Sequence, residues 1–398
     1  MSFSYTQIEY TMINRRSFIK SSALIVGGSS ISVGSVLSKN KENKPVVSLE
    51  WRNKQSDMTY RKLGNTGFMV SEFVNGGDPV STENYQMIEY AMERGLNYLD
   101  MAPAYGRGAC EKGYAKVIDS SSKREKVFMT TKVSGFANVR NQMYREIFDG
   151  LPEGKKQAVK NKAASMRAER GVDIPGYYLT YWPGQEKSMD PSYLSNAMVA
   201  DYGHKVDGSL QFKDFIKESV KGSLERTGQK YFDILMCPHG ANSPEEVQIP
   251  EIYQTLQELK NDGLVRYLGV STHNDPAGVL RAATATGKYD VVMCAYNVIN
   301  GGYMDDAIRN AKKAGIGVIG MKVAMAVATH HEKLQPLPQW RIDKVNQIVP
   351  GDMKPPMKAY LWALQNPNIS AVISNLWNET FVDENLSLAG KKVELQPG

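Results

Sequence analysis

Four residues of types that can move or hold a proton stand at the ends of short apolar segments: Asp100, Tyr105, Lys132 and His239. Reduction of a carbonyl group requires a hydride on carbon and a proton on oxygen. A free tyrosine has a pKa of about 10, and a nearby ammonium group stabilises tyrosinate and lowers that pKa. Tyr105 is therefore the candidate acid or base, with Lys132 supplying the charge and Asp100 holding the lysine. His239 would hydrogen-bond the carbonyl oxygen and orient it.

The segments that must position these residues alternate between strand-like and helix-like patterns. In the stretch 81–94 the apolar residues share one helical face and Gly95 ends the helix, and a strand ending in Asp100 follows. A hairpin with an Asn/Gly turn is expected over 59–71. Strands are expected at 73–77, 98–100, 127–131, 232–237, 265–271, 291–295, 316–320 and 369–373. Eight alternating units predict an α/β fold, a (β/α)8 TIM barrel, in which chemistry occurs at the carboxyl ends of the strands.

Composition indicates a globular protein and excludes several classes. The chain has 398 residues, of which 42% are hydrophobic, enough for one large domain or two small ones. The net charge is +6, and part of it comes from the N-terminal segment. The sequence lacks the basic stripe interleaved with aromatic residues that would indicate nucleic-acid binding. Cys110, Cys237 and Cys294 are too far apart for a metal pair and odd in number, so we interpret them as core residues.

Several short motifs, in order and each near a strand end, resemble the aldo-keto reductase family over residues 60 to about 393. They are Tyr-Arg-x-Leu-Gly-x-Thr-Gly at 60–67, Asn-Tyr-x-Asp-x-Ala-x-x-Tyr-Gly at 97–106, Thr-Lys at 131–132, Asp233, His239-Gly240, Gly269-Val-Ser271, Tyr296-Asn297 and Glu384-Asn385. The resemblance implies a nicotinamide cofactor extended over the barrel mouth. It also implies that Asp100, Tyr105, Lys132 and His239 fill the four catalytic positions of the family.

The same resemblance implies residues for the nicotinamide end of the cofactor. Ser271 matches the serine that contacts the carboxamide. Asn274 is the candidate amide partner, because Thr272 occupies the position where the family usually has asparagine. Tyr296 matches the aromatic residue that stacks on the nicotinamide, whereas Met293 replaces a usual glutamine.

The adenosine end departs from the family pattern. Glu384 and Asn385 match the adenine contacts, but the run after the eighth strand, which begins at Ser374, has no cation for a 2′-phosphate. Lys322, just past the seventh strand, is a candidate replacement. The resemblance therefore implies NADP, and the missing cation leaves NAD open.

The N-terminal segment resembles a twin-arginine export signal. Arg15 and Arg16 precede a phenylalanine and a lysine, and then a Ser/Gly-diluted apolar run at 23–37 that is a poor transmembrane helix. Residues 38–57 are expected to be a polar linker, which gives a leader over 1–57 and a barrel over 58–398. This pattern predicts recognition by the twin-arginine export machinery, a periplasmic location and no integral membrane span. The alternative is a basic disordered tail.

A long insertion, 137–208, follows the third strand and is expected to fold over the barrel mouth, where long loops set substrate choice. Its basic helix at 153–171 is interpreted as a solvated face. Its aromatic run at 176–184 could stack on a sugar or another ring, or could form the insertion's own core. His330 and His331 are interpreted as surface residues, so no metal site is predicted.

The main interpretation is an oxidoreductase that acts on a small carbonyl or alcohol substrate, for which a sugar is one candidate. Two other interpretations remain open. The first is a non-catalytic barrel that senses or binds a nucleotide, in which the four residues cap a turn, line a wall or face solvent. The second is a sugar hydrolase, which needs two opposed carboxylates, but only Asp100 is evident.

Overall fold

A computed structural model describes residues 48–206 and 208–398, and the predicted export signal lies outside them. The strands in chain order are β1 (Glu50–Trp51), β2 (Tyr60–Lys62), β3 (Phe68–Ser71), β4 (Phe73–Gly76), β5 (Tyr98–Asp100), β6 (Phe128–Lys132), β7 (Phe232–Met236), β8 (Val265–Thr272), β9 (Val291–Ala295), β10 (Gly317–Met321) and β11 (Ala371–Ser374). Strands β4 to β11 pair in parallel with their sequence neighbours, and β11 pairs with β4 to close the barrel.

Helices cover the outside of this barrel. They are α1 (Gln86–Glu93), α2 (Ala109–Val117), α3 (Ser121–Arg124), α4 (Phe136–Asp149), α5 (Glu153–Arg170), α6 (Met189–Tyr202), α7 (Gly208–Thr227), α8 (Pro250–Asn261), α9 (Pro276–Thr286), α10 (Gly301–Ala314), α11 (Gln339–Ile348), α12 (Pro355–Leu364) and α13 (Glu379–Leu386). The predicted (β/α)8 barrel is confirmed. Element ends differ by a few residues: β11 begins at Ala371, two residues later than expected, and α10 begins four residues earlier than expected.

Local signals explain where the outer helices begin and end. Before α9, the Asp275 side chain accepts a hydrogen bond from the backbone N–H of Gly278 at 3.0 Å, and Pro276 occupies the first helical position. Gly287 ends that helix in the left-handed conformation, with φ at 63°. The strands are buried on both faces and therefore read as continuous apolar runs.

The predicted hairpin closes the base of the barrel. β2 and β3 are antiparallel, and Leu63 and Phe68 are fully buried against inward-facing barrel residues such as Ile234 and Ile319. Gly315 is required where the hairpin meets the turn before β10, because a Cβ there would lie 2.0 Å from the side chain of Asn65. The hairpin therefore plugs the end of the barrel opposite the carboxyl ends of the strands.

The expected polar linker is partly structured, because its last residues belong to this base. β1 pairs in parallel with β3, and Arg52 donates to Glu50 at 2.6 Å. Asp233 is fully buried and forms ion pairs with Arg52, Arg124 and Arg266 at 3.2, 2.8 and 2.9 Å. A buried carboxylate needs such partners, so residues 50–52 are held as part of the barrel unit.

The insertion forms three helices, α4 to α6, with a small apolar cluster of their own around Phe148, Val159 and Met198. Within the described ranges, none of the helices has the length and apolar character needed to cross a membrane.

Candidate active site

Three of the four predicted side chains form one hydrogen-bonded unit at the carboxyl ends of β5 and β6. Lys132 Nζ donates to Asp100 Oδ1 at 2.5 Å, to the Tyr105 hydroxyl at 3.0 Å and to the backbone carbonyl of Met101 at 3.0 Å. Lys132 is 1% exposed and Asp100 2% exposed. The ammonium group therefore has three acceptors and a compensating charge, as a buried lysine requires.

The barrel register brings these residues together. Asp100 pairs with Thr130 and Lys132 pairs with Met236, so the ends of β5, β6 and β7 lie side by side. Close approach at the mouth depends on Gly77, because a Cβ there would lie 2.3 Å from the backbone carbonyl oxygen of Asp100.

A buried carboxylate behind the site holds β6 to two outer helices. Glu111 of α2 is fully buried, accepts from Thr131 Oγ1 at 3.0 Å and forms an ion pair with Arg226 of α7 at 2.5 Å. Thr131 immediately precedes Lys132, so this contact restricts the backbone from which the lysine extends.

His239 is the fourth member, and Ser134 is the hydrogen-bond partner of its Nδ1. The His239 and Tyr105 rings meet edge to face, with centroids 5.7 Å apart. Ser134 Oγ lies 2.8 Å from His239 Nδ1 and accepts from the backbone N–H of Ala104 at 3.3 Å. The serine hydroxyl can donate to Nδ1, and in that arrangement the imidazole N–H is at Nε2. Sequence reasoning missed Ser134, although its position two residues after Lys132 was a usable signal.

The electrostatics of the site differ from the sequence-based expectation for the tyrosine. Burial raises the pKa of Tyr105 well above its usual value of 10.0, with further contributions from Asp100 and Asp78, so the net shift is opposite to the lowering expected from Lys132. Desolvation of the phenolate outweighs the ammonium group here. Burial, followed by Lys132 and Lys322, lowers the pKa of His239 well below 6.5. At neutral pH the site therefore holds a protonated tyrosine and a neutral imidazole.

The insertion lies over the loops that follow β7, β8 and β9. Ser188 donates to Asn242 at 3.0 Å, Asn196 to Ser243 at 2.8 Å, and Asn297 to the hydroxyl of Tyr181 at 2.8 Å. These loops surround the carboxyl ends of the strands. We call residues 137–208 the lid.

Some residues of the aromatic run at 176–184 form the core of the insertion, and another faces the barrel mouth. Tyr177 and Tyr181 are buried within the lid and its contacts, where Tyr177 donates to Asp275. Trp182 is half-buried and meets His273 edge to face at 4.9 Å. His273 directly follows β8, so Trp182 lies at the carboxyl ends of the strands. Burial, followed by Lys322, His239 and Lys132, lowers the pKa of His273 well below 6.5.

Of the residues predicted to contact the nicotinamide, only some have side-chain groups that are free to bind it in the described structure. Ser271 is buried and accepts from the backbone N–H of Gly240 at 3.0 Å, so its hydroxyl proton remains available beside His239. The side chain of Asn274, the predicted amide partner, already forms hydrogen bonds with the lid. It accepts from Gln185 at 2.7 Å and donates to Ser188 and Asn242 at 2.9 and 2.7 Å.

The ring of Tyr296, the predicted stacking residue, faces the outer helices. It packs on Trp362 of α12 with centroids 4.8 Å apart, and its hydroxyl accepts from Asn366 at 3.0 Å. Successive residues of a strand point to opposite sides. Val292 and Cys294 lie in the outer core of the barrel, and Tyr296 continues that outward side.

The predicted adenosine contacts form two pairs near the end of β11. Asn385 is buried and donates to Ser374 Oγ at 2.9 Å. Glu384 forms an ion pair with Lys354, the residue preceding α12. Sequence reasoning searched for a cation after the eighth strand and missed Lys354, which the barrel brings to that place from the preceding loop. Lys322 instead lies beside the lid, with its Nζ 5.4 Å from the Trp182 ring centroid.

His330 and His331 stack on each other with centroids 4.1 Å apart, and His330 also contacts Trp377 at 5.7 Å. Across the described ranges 48–206 and 208–398, no three histidine, cysteine or acidic side chains cluster as metal ligands would.

Comparison with known proteins is consistent with this geometry. An aldo-keto reductase of Fusarium vanettenii is 26% identical over 278 residues, covering 65% of this chain and 62% of that protein, so the match spans less than two thirds of the relative. The L-galactose dehydrogenase of Arabidopsis thaliana is 22% identical over 349 residues, covering 82% of this chain and 86% of that protein.

The fold is shared with solved structures. The holo form of an aldo-keto reductase from Bacillus halodurans superimposes with a TM-score of 0.55 at 18% identity, over 84% of this chain and 92% of that one. The sequence model of the Aldo/keto reductase family matches residues 72–395, which include the whole barrel and the four assembled side chains. The chain belongs to the aldo/keto reductase family.

Proposed function

We propose that this chain is an exported, nicotinamide-dependent oxidoreductase that interconverts carbonyl and alcohol groups, with Tyr105 as its acid and base. The observation that carries the proposal is the hydrogen-bonded unit of Asp100, Lys132 and Tyr105 beside a neutral His239. A bound NAD or NADP supplies the hydride for reduction and takes it in oxidation.

The side chains of this chain can handle the proton in both directions. The carbonyl oxygen would lie between the Tyr105 hydroxyl and His239 Nε2, which carries the proton when Ser134 donates to Nδ1. In reduction Tyr105 gives up its proton, and Lys132, which donates to the phenol oxygen at 3.0 Å, stabilises the tyrosinate that remains. In oxidation the tyrosinate takes the proton of the alcohol.

The available polar groups fit a dinucleotide at both ends of the mouth. The Ser271 hydroxyl has a free proton near His239 and would bind the carboxamide. Ser374, Glu384 and Asn385 would hold the adenosine end, and Lys354 would supply the cation for a 2′-phosphate. Because Glu384 already pairs with Lys354, we leave both NAD and NADP as cofactors.

The direct test is Tyr105→Phe, assayed by oxidation of NADH and NADPH with a panel of aldehydes, ketones and sugars. Loss of the proton donor is expected to lower kcat by at least about 100-fold while the dissociation constant of the dinucleotide changes little. Tyr253→Phe on the outer helix α8 is the matched control and should keep full activity. A Tyr105→Phe variant with near-normal turnover would remove the tyrosine from the mechanism.

The second candidate is a non-catalytic barrel that binds or senses a nucleotide. It is favoured by the outward Tyr296 and the occupied Asn274, because both reduce the contacts available to the nicotinamide. Calorimetry with each dinucleotide separates the candidates. Binding without turnover on any carbonyl or alcohol of the panel would favour the sensor.

Export raises the question of how the hydride is supplied, because compartments outside the cytoplasm hold no pool of reduced nicotinamide. The twin-arginine pattern at Arg15 and Arg16 suggests export after folding. In our proposal the cofactor is captured in the cytoplasm, stays bound and is recycled by alternating oxidation and reduction of two substrates. A ligand at a thousand times its dissociation constant also stabilises the fold by about 4 kcal/mol.

Two measurements test this part. Arg15→Lys with Arg16→Lys should keep the protein in the cytoplasm, as followed by cell fractionation. Exported protein, after extensive dialysis, should retain reduced-nicotinamide absorbance or fluorescence. Nucleotide-free protein that is active only with added NADH or NADPH would contradict recycling and leave an ordinary reductase.

A further inference from the structure

Lys322 is a half-buried cation at the catalytic mouth that the proposed chemistry does not use. It directly follows β10 and has a φ of 60°, a left-handed conformation that is unfavourable for a residue with a Cβ. Strained backbone of this kind persists where the surroundings impose it, often at a ligand site. This conformation sets the direction in which the lysine leaves the strand.

The lid contacts this lysine only through aromatic rings. Its Nζ lies 5.4 Å from the Trp182 ring centroid and 5.9 Å from that of Tyr181. Among residues 48–206 and 208–398, it has no hydrogen-bond acceptor and no carboxylate at ion-pair distance, although Asp78 and Asp100 are close enough to oppose the effect of burial, which lowers its pKa. Cation–π contacts compensate a buried ammonium only in part.

His273 lies next to the segment that carries His239, because it directly follows β8, whose last residue forms a bridge with Ala241. After burial, the charge of Lys322 contributes to the lowered pKa of both His239 and His273. His273 Nδ1 is buried and has no partner in the described part of the chain, although buried polar atoms usually have one. Lys322 and His273 therefore flank the same ring, because the Trp182 ring centroid lies 5.4 Å from Lys322 Nζ and 4.9 Å from that of His273.

Arg341 of α11 is a second basic residue whose hydrogen-bonding groups are not all used among the described residues. Burial raises the pKa of Tyr181, and the hydrogen bond from Asn297 and the charge of Arg341 oppose that shift. The Nε of Arg341 is buried and has no partner among the described residues. Lys322 forms no ion pair among the described residues, and the acidic groups that act on its charge are Asp78 and Asp100, of which Asp100 already pairs with Lys132. An anionic ligand group would compensate the charge of Lys322.

We propose that Lys322, His273 and Trp182 form a subsite for a carboxylate of the substrate, so that the preferred substrates are oxo- and hydroxycarboxylates. This inference rests on the proposed function. In reduction the carbonyl carbon gains the hydride and the oxygen gains the Tyr105 proton, while the carboxylate is unchanged and the nicotinamide is oxidised. A carboxylate suits the place better than a cofactor phosphate, because a ribose separates each phosphate from the reacting carbon of the nicotinamide.

The test compares each 2-oxo acid with its primary amide, which has the same carbonyl and nearly the same shape but no charge. Pyruvate with pyruvamide and phenylglyoxylate with phenylglyoxylamide are suitable pairs. Wild-type protein should favour the acids, and Lys322→Met should lower the ratio of kcat/KM between acid and amide by about 10- to 150-fold. Lys322→Gly removes the charge and tolerates the positive φ, so it should show the same loss even if Lys322→Met folds poorly.

Lys313→Met is the matched control, because Lys313 is an exposed lysine in the last turn of α10, at the opposite end of the barrel. It should leave the ratio unchanged. An unchanged ratio in both Lys322 variants would overturn the inference, as would a wild-type preference for the amides.

Two further arms separate this inference from the proposed function. Titration of NADH and NADPH by fluorescence should give similar dissociation constants for wild type and Lys322→Gly. A large loss of dinucleotide binding with an unchanged substrate ratio would show that Lys322 holds a cofactor phosphate, which contradicts the inference.

If neither acids nor amides turn over, the proposed function fails. Calorimetry with phenylglyoxylate then decides the subsite, which is refuted if Lys322→Gly binds as well as wild type.

Discussion

Replacement of Lys132 by methionine should destabilise the barrel strongly, apart from any effect on catalysis. The lysine is 1% exposed, and its partner Asp100 is 2% exposed, with 2.5 Å between Nζ and Oδ1. Removing one partner of a buried ion pair leaves an uncompensated charge and costs about 3–5 kcal/mol. The Met101 carbonyl and the Tyr105 hydroxyl also lose a donor.

The variant should also acquire a characteristic pH dependence. Burial already raises the pKa of Asp100, and Lys132 is the main group that opposes this shift. Without the lysine the folded-state pKa rises further above that of the unfolded chain. An acid with a raised folded pKa loses stability as the pH rises through that pKa, so the deficit of Lys132→Met should shrink as the pH falls.

The assay is urea unfolding followed by tryptophan fluorescence, at several pH values from about 5 to 8, which span the expected titration. Lys132→Met with Asp100→Asn removes both charges and should recover most of the lost free energy of unfolding without restoring activity. Lys313→Met controls for the loss of one lysine at the surface. A single variant within about 1 kcal/mol of wild type, or a deficit that deepens at low pH, would refute the reasoning.

Three other changes probe the site and the lid. Ser134→Ala should lower kcat by about 3- to 30-fold, because His239 Nδ1 loses its donor and the Nε2–H tautomer is no longer favoured, whereas Ser134→Thr should recover part of the rate. The pH profile of kcat/KM for reduction should show no inflection near 6.5, because the pKa of His239 lies well below that value, and activity should persist until Tyr105 ionises above 10.0. An inflection near 6.5 that disappears in His239→Gln would contradict this assignment. Asn274→Ala should increase hydrogen exchange and proteolysis within 176–188, because three buried hydrogen bonds to the lid and its neighbours are lost, while the barrel strands keep their protection.

Local signals determined the barrel and the identities of its reacting groups. The apolar runs ended by Asp100 and Lys132 predict strands, and the carboxyl ends of parallel strands in a barrel necessarily meet at one mouth. Chemistry then restricts the roles, because an ammonium group beside a tyrosine is costly to bury without a carboxylate. This much depends on residue type and on the order of elements, both of which a sequence contains.

The tertiary structure decided which way side chains point and which hydrogen-bonding groups are already used. Tyr296 matched a motif, but its place on the outward side of β9 directs its ring to Trp362. Asn274 matched by type, but residues almost ninety positions earlier, in the lid, occupy its amide. Ser134 and Lys354 gained their roles from neighbours distant in the chain, His239 and Glu384. Contacts between residues far apart in sequence leave no local pattern, and whether burial or a neighbouring charge controls a pKa depends on how the chain packs around the group.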